Sequence, residues 1–125
     1  MIQVVTTDAA PKAVGPYSQA IVAAGLVFVS GHIAIDPRTN QFVDSPIEQQ
    51  TRQVLENLSA ILAAVGGSLN KVVKTTVFLK DMNDFDSMNK IYSEFFPGHK
   101  PARSTVQVAK LPRDARVEIE LVALA

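Results

Sequence analysis

At 125 residues the chain is expected to be one domain spanning residues 1–125, large enough to bury roughly two thirds of its unfolded surface. Hydrophobic residues make up 47% of it but aromatic ones only 6%, with no Trp, so the core must be aliphatic. Twelve basic and twelve acidic side chains cancel, which removes any global pull toward nucleic acid or anionic membrane. The absence of Cys excludes disulfides, thiolate nucleophiles and zinc–thiolate sites together, and suits a reducing cytoplasm. Met1 to Thr7 has no basic start followed by a long apolar run, so no signal peptide is expected, and no apolar stretch reaches membrane-spanning length.

In chain order, the β-branched segment Ile2 to Val5 reads as a short edge strand, followed by a loop stiffened by Pro11 and Pro16. Ile21 to Ala23 and Leu26 to Ile35 flank Gly25 and predict a hairpin with a tight turn, its second strand buried on both faces. That strand carries Ser30 and then Gly31, where a small hydroxyl and a missing side chain would let a ligand approach the backbone. No Gly-x-Ser-x-Gly elbow surrounds Ser30, which argues against a serine hydrolase. His32 and His99, the two histidines, are far apart and lack ligand spacing, so no metal site is expected.

Residues 36–40 predict a turn, and Ser45, Pro46, Ile47 and Glu48 fit a capping box opening a helix. Its stripe of Ile47, Thr51, Val54, Leu55, Leu58, Ile61, Leu62 and Val65 packs on a sheet. Gln49, Gln50, Arg52, Gln53, Glu56 and Asn57 are expected outside, and Gly66 with Gly67 stops the helix. Val72 to Leu79 reads as a strand. A second helix follows with the stripe Phe85, Met88, Ile91, Tyr92 and Phe95, and ends at Pro97 and Gly98. The aromatic and Met stripe reads as core. Asn89 reads as a mid-helix amide that ties the helix to a neighbouring loop.

Pro101 to Leu124 concentrates the chemistry. Arg103, Thr105 and Gln107 alternate with Ser104, Val106 and Val108; Arg116, Glu118 and Glu120 alternate with Val117, Ile119 and Leu121. The short loop 109–115 predicts that these two strands pair directly as antiparallel neighbours, with Arg103 beside Glu118. An arginine and a carboxylate so placed form either a cross-strand ion pair on a solvated face or, if something covers the face, a carboxylate anchor beside a general base. The element order is that of an α+β fold, a mixed sheet with both helices on one face. Its other face must be solvent or a subunit interface.

The run Pro101, Ala102, Arg103, Ser104, Thr105, Val106, with the later Leu111, Pro112 and Val117 to Glu120, resembles the C-terminal signature of the RidA (YjgF-like) family of reactive intermediate deaminases. Ala10 with Pro11, Gly15 to Ala20, Ser30 to Ile33, and Val73 to Asp81 followed by Asn83 to Phe85 resemble its other motifs in order. The resemblance implies a chorismate-mutase-like fold and a homotrimer with pockets between subunits. It implies hydrolytic deamination of the enamine or imine intermediates 2-aminoacrylate and 2-aminocrotonate, giving 2-keto acids and ammonia, with no cofactor and a functional link to pyridoxal-phosphate dehydratases.

On this resemblance Arg103 holds the substrate carboxylate and Glu118 activates water, while Tyr17, Ser30, Gly31 and Thr105 line the pocket. Two positions depart from many relatives: Thr105 stands in place of Cys, and His32 in place of Gln, where a neutral imidazole near the pocket or the subunit seam is expected. A small keto-acid binding protein without catalysis is the alternative. RNA cleavage or translation inhibition ranks below both, because Asp114, Glu118 and Glu120 interrupt the basic strip of Lys100, Arg103, Lys110, Arg113 and Arg116.

Overall fold

The structure, a computed structural model, describes residues 1–125. Strands β1 (Gln3–Val5), β2 (Ala20–Ala23) and β3 (Leu26–His32) come first, followed by a small hairpin of β4 (Ile35–Asp36) and β5 (Gln41–Phe42). Helix α1 (Ile47–Ala63), β6 (Val72–Leu79), helix α2 (Phe85–Phe95), β7 (Ala102–Gln107) and β8 (Val117–Leu124) complete the chain. Six strands form one mixed sheet in the order β1-β2-β3-β8-β6-β7. The hairpin at Gly25 forms as the sequence predicts: Ala23 pairs with Leu26 across Ala24 and Gly25, whose φ values of 53° and 76° give the turn the twist that the strands require.

Both helices lie on one face. Val54, Leu55, Leu58, Ile61 and Leu62 of α1 and Met88 of α2 are fully buried against Val27, Val77, Leu79, Val117 and Ile119 of the sheet. At roughly 25 cal/mol per Å² of apolar surface removed from water, this aliphatic layer is the main source of stability.

The capping box does not form. Pro46 takes the N-cap position with ψ 160°, so Ser45 sits one residue too far out and its Oγ donates to the Val43 carbonyl instead. Gln50 and Asn57, expected outside, are buried. Each falls in the spacing of the apolar stripe and satisfies a backbone group: Gln50 Oε1 accepts from Arg116 N at 3.0 Å, and Asn57 Nδ2 donates to the Ile35 carbonyl at 2.8 Å. These amides bond α1 to the segments leading into β8 and out of β3.

Two further expectations are corrected. The strand from Leu26 ends at His32, after a bulge between Val29 and His32, and is buried on one face only, with Phe28 44% exposed. More consequentially, β7 and β8 are not neighbours. β6 lies between them, parallel to β7 and antiparallel to β8. A parallel partner needs a crossover, and α2 between β6 and β7 supplies it.

Candidate active site

Registered neighbours in a sheet point their side chains to the same face, and the insertion of β6 therefore decides where the chemistry sits. One row reads Arg103, Thr75, Leu121 across β7, β6 and β8, and the next of the same sense reads Thr105, Val77, Ile119. Thr75, Val77, Ile119 and Leu121 are core, so Arg103 and Thr105 point to the helix face. The alternate rows, Ser104 with Thr76 and Glu120, and Val106 with Phe78 and Glu118, point to the open face. The side-by-side arrangement expected of Arg103 and Glu118 is absent from one chain: they lie on opposite faces of the sheet.

Arg103 is half-buried under α2. Its Nη1 donates to Asn89 Oδ1 at 2.6 Å, and its guanidinium lies 4.8 Å from the Tyr92 ring centroid and 5.6 Å from that of Phe85. Phe85, Asn89 and Tyr92 recur at helical spacing, so a single face of α2 forms this cradle. Tyr92 is itself anchored: its hydroxyl and Thr75 Oγ1 share a hydrogen bond of 2.8 Å, and burial raises its pKa. One bond and an aromatic bed orient the guanidinium and leave its remaining N–H donors for a planar anion. On the same strand face Thr105 holds a buried Oγ1 that has no hydrogen-bond partner.

Glu118 stands at a separate cavity of about 190 Å³, lined in part by Lys12, Tyr17, Gly31, His32 and Arg113. Gly31 explains how the carboxyl fits. A Cβ at that position would collide with Glu118 Oε2 and come within 3.0 Å of its Cδ, so the missing side chain is the space that the carboxylate occupies. Burial, and then the nearby Glu120 charge, push the pKa of Glu118 up. His32 also lines this cavity and is buried, and desolvation lowers its pKa to about 4, leaving a neutral imidazole at pH 7.

The loop carrying Tyr17 is held by the buried Gln19. Its amide accepts from Thr7 N at 2.7 Å and donates to the carbonyls of Thr7 and Pro11 at 3.0 and 2.8 Å. The Tyr17 hydroxyl accepts weakly from Val14 N at 3.5 Å, and its ring is 52% exposed at the cavity mouth. Ser30 is placed differently. Its Oγ donates to the Ser18 carbonyl at 2.6 Å, in a shallow groove on the open face near Glu120 rather than in the Glu118 cavity. No three or more His, Asp and Glu side chains come together in a way that could hold a metal ion.

The structure thus unites Tyr17, Gly31 and Glu118, and separately Arg103 and Thr105. Sequence reasoning did not single out the Asn89, Tyr92 and Phe85 cradle, or Lys12 and Arg113 at the cavity. The signal for the cradle was there: Asn89 is the one polar residue between two aromatics on a helix stripe.

A half-buried arginine with free N–H donors and a partly buried carboxyl of raised pKa thus lie in two clefts on opposite faces of an α+β sheet. The family model described as Endoribonuclease L-PSP matches residues 7–125. The chain is 55% identical to a RutC family protein of Pyrococcus horikoshii over 98% of both chains. It is 48% identical to the mouse 2-iminobutanoate/2-iminopropanoate deaminase, over 98% of this chain and 90% of that protein. Among solved structures it is similar to Escherichia coli TdcF with bound serine, with a TM-score of 0.93, 40% identity and 98% of both chains covered. The chain belongs to the RidA (YjgF-like) family, which includes proteins named as reactive intermediate deaminases.

Proposed function

We propose that this protein hydrolyses short 2-imino acids, the tautomers of 2-aminoacrylate and 2-aminocrotonate, to 2-keto acids and ammonia. The observation that carries the reading is the Glu118 carboxyl, nested in the space left by Gly31 and raised in proton affinity by its burial. Such a group is a stronger base than a solvated carboxylate, which general-base catalysis requires.

Arg103 holds the substrate carboxylate by a forked pair of hydrogen bonds, with Asn89 and Tyr92 fixing the fork. Glu118 takes a proton from water as the water oxygen bonds to the imine carbon. Glu118 returns that proton to the nitrogen, giving a carbinolamine; its hydroxyl proton then passes to the nitrogen as the C–N bond breaks, leaving the keto carbonyl and ammonia. Tyr17 closes the mouth, and main-chain groups near Gly31 and Thr105 orient the nitrogen. No cofactor takes part. Pyridoxal-phosphate dehydratases acting on serine or threonine supply the substrate, and the chemistry fits a cytoplasmic setting.

Because Arg103 and Glu118 face opposite ways, one chain cannot place both on one substrate. A homotrimer in which the Arg103 cleft of one subunit meets the Glu118 cavity of the next supplies the completed site. The open sheet face is suited to burial in it, with Phe28 and Val106 44% and 42% exposed and Val4 and Leu124 more so.

The test is keto-acid release from 2-aminoacrylate generated by a serine dehydratase, with the wild type, Arg103→Ala and Glu118→Gln, and a molecular-mass measurement alongside. Acceleration lost in both variants is the expected result. Activity retained in either one removes the role given to that residue, and a monomeric mass removes the shared site.

A second reading, keto-acid binding without turnover, is favoured by Thr105, whose buried hydroxyl replaces the thiol of many relatives. Bound 2-oxobutanoate in a wild type that accelerates nothing would select it. An RNA role has less support, since Arg103 is turned under α2 and Arg113 toward the Glu118 cavity, which divides the basic strip.

A further inference from the structure

The Glu118 cavity is lined by two cations that the hydrolysis of a short, neutral side chain does not use. Lys12 and Arg113 belong to none of the chain's three ion pairs, which join Arg38 to Asp36, Arg52 to Glu94 and Lys80 to Asp114. Their backbones are nevertheless held firmly. Lys12 N donates to Asn40 Oδ1 at 3.2 Å, tying its loop to the β4–β5 hairpin.

Arg113 has φ 58° and ψ 19°, and Asp114 follows with φ 55°, so two consecutive residues with full side chains occupy the left-handed region. Buried Leu111 and Ala115 bracket this turn. Lys80 secures it with its Nζ on Asp114 Oδ2 at 2.9 Å and its N–H on the Arg116 carbonyl at 3.0 Å. Gly or Asn would take that backbone more easily, so packing alone does not account for an arginine there. Strain of this kind, held in place by its surroundings, is concentrated at ligand sites. Lys12 and Arg113 line the same cavity as Glu118.

We propose that Lys12 and Arg113 receive a second carboxylate, so that the site also takes 2-imino dicarboxylates of four or five carbons. The inference rests on the imine-hydrolase reading. With the first carboxylate on Arg103 of a neighbouring subunit and the imine carbon at Glu118, the substrate's side chain extends toward the two cations. A cavity of about 190 Å³ has the volume of about six waters at ~30 Å³ each, enough for such a side chain to extend through its mouth. The reaction balances as before: water oxygen bonds to C2, the C2–N bond breaks, and ammonia and a 2-oxo dicarboxylate leave with no change of oxidation state. The reaction that supplies this substrate is oxidation of an acidic amino acid to its imine.

The test generates iminosuccinate from aspartate with an aspartate oxidase and 2-iminopropanoate from alanine with an amino-acid oxidase, both with catalase, and follows ammonia release. Wild type should accelerate both. Arg113→Asn, chosen because Asn tolerates left-handed backbone, and Lys12→Met should each lower the dicarboxylate-to-monocarboxylate ratio of kcat/KM by about 10-fold, the value of one charge-assisted contact. Arg113→Lys should restore most of it. Acceleration of 2-iminopropanoate alone, or a ratio unmoved in both variants, overturns this inference and leaves the imine-hydrolase reading standing. Acceleration of neither substrate overturns both.

Discussion

Replacing Gly31 with Ala separates the candidate base from the fold that carries it. The added Cβ would overlap Glu118 Oε2 and press on Cδ at 3.0 Å and Cγ at 3.2 Å, all side-chain atoms of one flexible residue. The backbone has no clash to relieve, and Gly31 lies outside the left-handed region, so the cost to stability should stay within about 1 kcal/mol, or a few degrees in Tm. The carboxylate, in contrast, must withdraw by about an ångström, a displacement that can cost about 100-fold in rate when it misplaces a reacting group. The expected phenotype is a folded protein of normal mass, with keto-acid affinity through Arg103 within about threefold of wild type and kcat/KM on 2-iminopropanoate about 100-fold lower. Dehydratase-coupled keto-acid release measures the rate, and calorimetric titration with 2-oxobutanoate measures binding. A Gly31→Ala protein as active as wild type would show that the reaction does not need the carboxylate where Gly31 allows it to lie, and the general-base assignment of Glu118 would be wrong.

The remaining predictions concern stability. His32 is neutral in the fold with a pKa of about 4 against an ordinary 6.5, so the unfolded chain takes up the proton first. Its contribution is therefore complete above about pH 6.5 and falls as the pH drops toward 4, by about 3 kcal/mol in all. Glu118, with its pKa raised, acts in the opposite sense, its contribution being lost as pH rises through its folded pKa, so the wild-type profile alone mixes the two. Urea unfolding of wild type and His32→Gln at several pH values isolates the difference, and parallel profiles would contradict a buried neutral imidazole. At the β2–β3 turn Ala24 sits at φ 53°, a conformation that suits Asn far better. Ala24→Asn should stabilise the protein by about 1 kcal/mol and raise Tm by about 4 °C, and a fall in Tm would mean that the turn is not of the primed type.

Local patterns carried much of this protein. The period of two in Val117–Leu124, the period near 3.6 in Ile47–Ala63 and the Gly25 turn each depend on residues close together in sequence, and each formed where expected. Arg103, Glu118 and Gly31 stood out by side-chain chemistry, and Tyr17 only through the family resemblance. What the chain could not declare was which strand lies beside which. A short loop between 107 and 117 favours direct antiparallel pairing of β7 with β8. That choice lost to a sheet in which β6 pairs with both, because β6 is buried among core side chains and α2 is available to cross over it. This single long-range decision sent Arg103 beneath α2 and Glu118 to the opposite face. It also set Asn89, read as a tie to a loop, and the core residue Tyr92 against the Arg103 guanidinium, while the fold as a whole brings Lys12 into the cavity that Arg113 lines. Sequence by itself determined the parts and their chemistry, since helix and strand periodicity and side-chain type are local properties. Only the tertiary structure decided their company, because strand order is settled by the burial of the whole sheet and by no single segment of it.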